Sequence, residues 1–74
     1  MPDVPRAFGA AVRKLRLKKG LSQEEFADRA KIDRTYASGI ERARRNPSLK
    51  AIERIAGALE VSLAQLFREV ERHL

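Results

Sequence analysis

Residues 21–46 read LSQEEFADRAKIDRTYASGIERARRN, and this stretch decides the fold. Ser22 followed three residues later by Glu25 is a capping box, in which each side chain binds a backbone N–H that the helix leaves free. Leu21 and Phe26 fall at the flanking apolar staple positions, so the spacing predicts a helix from Ser22 to about Ala30. Only Lys31 and Ile32 separate it from Asp33, a good N-cap, and a further helix follows to about Arg42. Ala27 is small enough for two helices to cross closely. Ile32 and Ile40 are the apolar anchors of the later helix. The result is two short helices joined by a tight turn.

The same reading extends outward. Phe8, Ala11, Val12 and Leu15 recur at helical spacing and predict a first helix over about Pro5–Lys19, ended by Gly20. Arg13, Lys14, Arg16 and Lys18 fall on the remaining surface of that helix. Downstream, Asn46 and Pro47 break the chain and Ser48 caps a fourth helix. Its expected core face is Leu49, Ile52, Ile55, Ala56 and Leu59. Ser62 with Gln65 forms a second capping box, stapled by Val61 and Leu66. A fifth helix then carries Leu63, Leu66, Phe67, Val70 and Leu74. The expected fold is all-α, with five helices in one domain over residues 1–74 and no strand.

Composition narrows the function. At 43% hydrophobic and 35% charged, the chain is too apolar for disorder. It has no cysteine and a single histidine, which argues against a metal centre, a thiol nucleophile or a Ser-His-Asp arrangement. His73, close to the C-terminus, reads as a solvated tail residue. Glu24, Glu25 and Asp28 sit in or near the first turn of a helix, where acids suit the dipole, so they do not point to carboxylate catalysis. The expectation is no enzyme, no cofactor and no metal. There is no apolar run of the roughly 18 residues that a spanning helix needs, and no signal peptide, so a cytoplasmic location is the default.

The net charge of +6 is unevenly placed. Residues 1–22 carry net +5 and residues 34–50 net +4, while residues 23–33 and 51–74 are slightly acidic. Two basic blocks of this kind favour a polyanion. Arg34, Thr35, Tyr36 and Ser38 lie at or near the start of the third helix. In a helix-turn-helix unit this is where side chains meet base edges in the major groove. Arg34 suits bidentate pairing with guanine, with a phosphate contact or a solvated side chain as its plain alternatives. Thr35 suits a thymine methyl or a phosphate. Tyr36 fits either DNA contact or the edge of the core, and Ser38 is the weakest of the four. Arg42, Arg44 and Arg45 read as phosphate-facing. Glu41, which would repel DNA if exposed, is expected to point at a basic side chain of the fold.

The stretch LSQEEFADRAKIDRTYASGIERARRNPSLKAIERIAGALEVSLAQLF, residues 21–67, resembles the lambda-repressor/Cro-like (Xre-type) helix-turn-helix family. Within it, IDRTYASGIERARRNPSL is similar to the controller proteins of restriction-modification systems. The resemblance implies base-reading roles for Arg34, Thr35, Tyr36 and Ser38. It implies phosphate-binding roles for Gln23, Arg42, Arg44, Arg45 and Asn46. It further implies a homodimer on a pseudo-palindromic double-stranded DNA operator, autoregulation of its own promoter, and RNA polymerase as a partner in activation. One position departs from the pattern: Lys31 stands where the family often has glycine. A left-handed conformation there would cost about 1 kcal/mol more than with glycine.

The apolar stripe of the fifth helix runs further than a small core requires. Leu63, Phe67, Val70 and Leu74 are therefore expected to form a two-fold dimer seam, with core packing and a frayed end as the alternative. Two other functions stay open on the residues: another Xre-type regulator, such as a phage repressor or an antitoxin, and a protein-interaction module with incidental charge. A membrane partner conflicts with the short, capped, core-forming helices.

Overall fold

The computed structural model describes residues 2–74, which form five helices and no strand. They are α1 (Val4–Lys18), α2 (Gln23–Ala30), α3 (Arg34–Glu41), α4 (Leu49–Leu59) and α5 (Leu63–Arg72). Each begins on a polar cap. The Ser22–Glu25 and Ser62–Gln65 boxes close in both directions, while Asp33 and Ser48 accept from Thr35 N–H and Ala51 N–H. Asp3 caps α1 by accepting from Arg6 N–H, so that helix starts one residue earlier than its apolar spacing predicts.

Helix ends follow a common rule. After α1, α2 and α4 the chain turns through a left-handed residue: Gly20, Lys31 and Glu60. The next residue then donates its N–H back into the last turn: Leu21 to Arg16 O, Ile32 to Ala27 O and Val61 to Ala56 O. This is the Schellman arrangement, and the apolar residue that closes it packs on the core. Lys31 thus adopts the left-handed geometry (φ 57°, ψ 43°) without glycine. The turn closes at a strain of about 1 kcal/mol, offset by two backbone hydrogen bonds and partial burial of Ile32.

The core gathers Phe8, Val12, Leu21, Phe26, Ile40, Ile55, Leu59, Leu66 and Val70 among many alanines. Alanines let the helix axes approach. α1 and α3 approach closely at Gly9, where an added Cβ would lie 2.5 Å from Ile40 O and 2.6 Å from Glu41 O. That fixes the C-terminal end of α3 directly on the α1 backbone. α3 is packed by α1 on one side and α2 on the other, and its remaining face is free.

Expectations for the apolar faces of α4 and α5 are corrected here. Leu49 is 86% exposed rather than in the core, because it opens α4 beyond the cover of its neighbours. The buried stripe of α4 is turned towards Ala51, Ile55, Ala58 and Leu59, and Ile52 is only half-buried. On α5 the buried set is Leu66, Glu69 and Val70, so Val70, at 2% exposure, belongs to the protomer core and not to a free seam. Leu63 and Phe67 lie on the flank of that stripe, 51% and 39% exposed. Leu74 follows the end of α5 and faces Pro2, Arg6 and Ala10 near the start of α1, away from Leu63 and Phe67.

Arg16 and Glu69 are the buried charged residues among those described, and His73 is exposed, as expected, while touching Glu69. Arg16 is buried between helices. His73 Nε2 lies 3.1 Å from Glu69 Oε2. Glu69 also pairs with Lys14 of α1 at 3.2 Å and with Arg72 at 3.3 Å. Burial pushes the Glu69 carboxyl up, but the hydrogen bond and charge of Lys14, together with His73 and Arg72, outweigh it and hold the group below its ordinary value.

Candidate nucleic-acid interface

The free face of α3 is held from beneath by an ion pair. Arg16 Nε donates to Glu41 Oε2 at 2.7 Å and Nη2 to Glu41 Oε1 at 3.1 Å. The third nitrogen, Nη1, donates to Leu21 O at 2.9 Å. Gln23 Nε2 donates to Glu41 Oε1 at 3.2 Å. One carboxylate therefore joins α1, the start of α2 and the end of α3. The two side chains are only 9% and 4% exposed, so the pair works away from water and its geometry is over-determined. Glu41 points at a basic side chain, as its sequence position suggested.

Above this frame lie the predicted contact residues. Arg34 and Thr35 form the exposed first turn of α3, and Tyr36 and Ser38 are half-buried on it. Beyond α3 the chain folds back. Ala43 takes a left-handed conformation (φ 62°), and the N–H groups of Arg44 and Arg45 both donate to Gly39 O, at 2.8 and 3.2 Å. Thr35, Ser38, Gly39, Arg42, Arg44 and Arg45 consequently line one open cleft of about 260 Å³. The Arg45 guanidinium carbon lies 5.0 Å from the centroid of the Tyr36 ring, in cation–π range. Three arginines around hydroxyl donors are suited to a phosphate backbone.

Two of the candidate residues stand apart. Gln23 turns its amide inward to Glu41, although its backbone still opens α2. Asn46 sits on the far side of the loop, in a depression shared with Val4, Pro5, Phe8, Pro47, Ile52 and Phe67. That depression adjoins a second, largely apolar groove of about 360 Å³, lined by Leu49, Lys50, Ile52, Glu53, Leu63 and Phe67. The Phe67 ring leans on Phe8, with centroids 5.9 Å apart, which fixes the floor between the two hollows. Sequence reasoning missed Gly39 and the packing role of Arg16. The signal for Gly39 was its presence inside a short helix, where glycine is the poorest former after proline. No local pattern marks Arg16, whose partner is 25 residues away.

No described helix is long and apolar enough to cross a membrane, and no cluster of metal-ligating side chains occurs among the described residues.

Comparison with known proteins agrees with this architecture. The helix-turn-helix family profile matches residues 12–66. The control protein C.MunI of Mycoplasma sp is 44% identical over 73 residues, spanning 97% of this chain and 99% of that protein. The control protein C.BamHI of Bacillus amyloliquefaciens is 51% identical over 55 residues, 73% of this chain and 68% of its own. Among solved structures, the restriction-modification controller C.Esp1396I, as a tetramer with its natural 35 base-pair operator, superposes with a TM-score of 0.90. It is 37% identical, covering 99% of this chain and 96% of that one. The fold, its polar frame and these similarities together make the chain a member of the Xre-type helix-turn-helix family of DNA-binding transcriptional regulators, resembling the controller proteins of restriction-modification systems.

Proposed function

We propose that the protein is a homodimeric controller that binds a pseudo-palindromic operator in double-stranded DNA and regulates a restriction-modification operon from the cytoplasm. The observation that carries this reading is the juxtaposition at α3. An exposed first turn, Arg34 and Thr35, lies beside a cleft ringed by Arg42, Arg44 and Arg45, all on a buried frame that fixes its angle. The α3 N-terminus enters the major groove. Arg34, Thr35, Tyr36 and Ser38 read bases there, while Gln23, the three loop arginines and Asn46 hold the sugar-phosphate backbone. Binding, and not catalysis, is the activity.

The dimer forms across the apolar groove rather than along the whole fifth helix. Exposed Leu49, Leu63 and Phe67, with half-buried Ile52 between them, line one groove next to the loop that carries Asn46. A two-fold pairing of this patch covers it and sets two α3 helices towards half-sites about 10 bp apart, or a multiple of that. Contact with RNA polymerase, supported by the resemblance to controllers, is the route to activation.

Selection from random duplex DNA, sequenced after enrichment at two salt concentrations, tests the proposal. A two-fold symmetric motif that survives the higher salt is the expected result. Binding without a motif, abolished by salt, leaves only polyanion attraction and overturns it.

A further inference from the structure

Gly39 sits inside α3, where an alanine would form helix better, and the structure gives it a local use. A Cβ built there would lie 2.5 Å from Arg45 Cγ and 3.4 Å from Arg45 Cβ. The backbone bonds from Arg44 and Arg45 N–H to Gly39 O hold the Arg45 Cβ in place, so the clash at Cγ is relieved by turning the side chain about χ1, which takes the guanidinium off the Tyr36 ring. The other glycine in the interior of a later helix, Gly57 of α4, has nothing within 4 Å of its added Cβ. Gly9 of α1 is crowded by the α3 backbone, whereas Gly39 is crowded by a side chain, that of Arg45.

We infer that Gly39 is a positioning residue for DNA reading: its missing side chain lets the Arg45 stem cross α3, so that the guanidinium stacks on Tyr36 and the two present to DNA as one preformed unit. This rests on the proposed function, since it names how two of its contact residues are held before DNA arrives. Ordering Arg45 in advance removes part of the side-chain entropy that binding would otherwise cost. It also fixes Tyr36, which is only half-buried, in one orientation over the groove.

Gly39→Ala tests it, with Gly57→Ala as the control for helix propensity. In the DNA-free protein, the Arg45 side-chain proton resonances carry an upfield ring-current shift from Tyr36, and Gly39→Ala removes it. Thermal unfolding stays at or above the wild-type midpoint. Affinity for the selected operator falls about tenfold or more, as for loss of one charge-assisted contact. The slope of log K against log salt falls by about one in magnitude. In an Arg45→Ala background the Gly39→Ala change has no further effect, and Gly57→Ala leaves binding as it was.

Wild-type affinity and base preference in Gly39→Ala overturn the inference, as does an equal loss in the Arg45→Ala background. Should Gly39→Ala fail to fold, Tyr36→Leu and Tyr36→Phe decide. The ring shift and the salt slope are lost with leucine and kept with phenylalanine, and any other pattern overturns it. If the wild type shows no sequence preference while the ring shift is present, it is the proposed function that fails, and the positioning role falls with it.

Discussion

Glu41→Ala should be the most damaging single change outside the apolar core. Glu41 accepts from Arg16 at 2.7 and 3.1 Å and from Gln23 at 3.2 Å, and the two charged side chains are 9% and 4% exposed. Truncation removes all three bonds and leaves the Arg16 charge buried with Leu21 O as its remaining acceptor. Breaking a buried pair in this way costs about 3–5 kcal/mol. Folded domains hold roughly 0.05–0.15 kcal/mol per residue, so a chain of this length has about 4–11 kcal/mol in all. The variant therefore loses about a quarter or more of its stability. At about 4–8 °C per kcal/mol for a domain of this size, its midpoint falls by roughly 12 °C at the least. Circular dichroism at 222 nm, at one fixed protein concentration, reads the shift. The paired replacement Arg16→Met with Glu41→Leu should recover most of the loss, since it leaves no unpaired charge. A Glu41→Ala loss under about 1 kcal/mol, the range of a surface pair, would refute the reasoning.

Other expectations follow from the same geometry. Arg34→Ala should relax preference at one base pair per half-site, by about 1–3 kcal/mol of discrimination in a competition assay with variant operators; unchanged preference would remove Arg34 from the reading set. Leu63→Asp should shift sedimentation towards monomer with helicity intact, whereas Val70→Asp, which puts a charge into the protomer core, should unfold the chain; a Leu63→Asp dimer would move the interface elsewhere. Glu69 has a lowered folded pKa, so its contribution is present above the ordinary carboxylate value of 4.5 and is lost as pH falls through the lower folded value. The stability gap between wild type and Glu69→Gln should accordingly be full at neutral pH and close in acid, and a gap that persists unchanged at pH below that range would contradict the Lys14–Glu69 pairing.

What could be read from the sequence was what acts over one helical turn. The Ser22–Glu25 and Ser62–Gln65 boxes, the Asp33 and Ser48 caps and the Gly20 stop are local chemistry, and all five stand in the structure. The arginines of the loop could be found because charge clusters are visible in one dimension. The rotation of an apolar stripe was harder. On α5 both Leu66–Val70 and Leu63–Phe67 are spaced four apart, and only the arrangement of α1 and α4 decides which pair is buried. Long-range polar pairing was not legible at all. Arg16 looks like its basic neighbours until Glu41 is brought against it by the α1–α3 crossing at Gly9. The left-handed turns at Ala43 and Glu60 were similarly hidden, because the bonds that offset their strain reach back into the preceding helix, whereas the one at Lys31 was raised by the family resemblance.

The placement of two α3 helices in major grooves on one face of a duplex is tested most directly by hydroxyl-radical footprinting on the selected operator. The expected result is two protected patches related by two-fold symmetry, about 10 bp apart or a multiple of that and lying on one face of the helix, with protection weakened at every position in Arg45→Ala. A single unsymmetric patch, or uniform protection without register, would contradict the proposed dimeric reading.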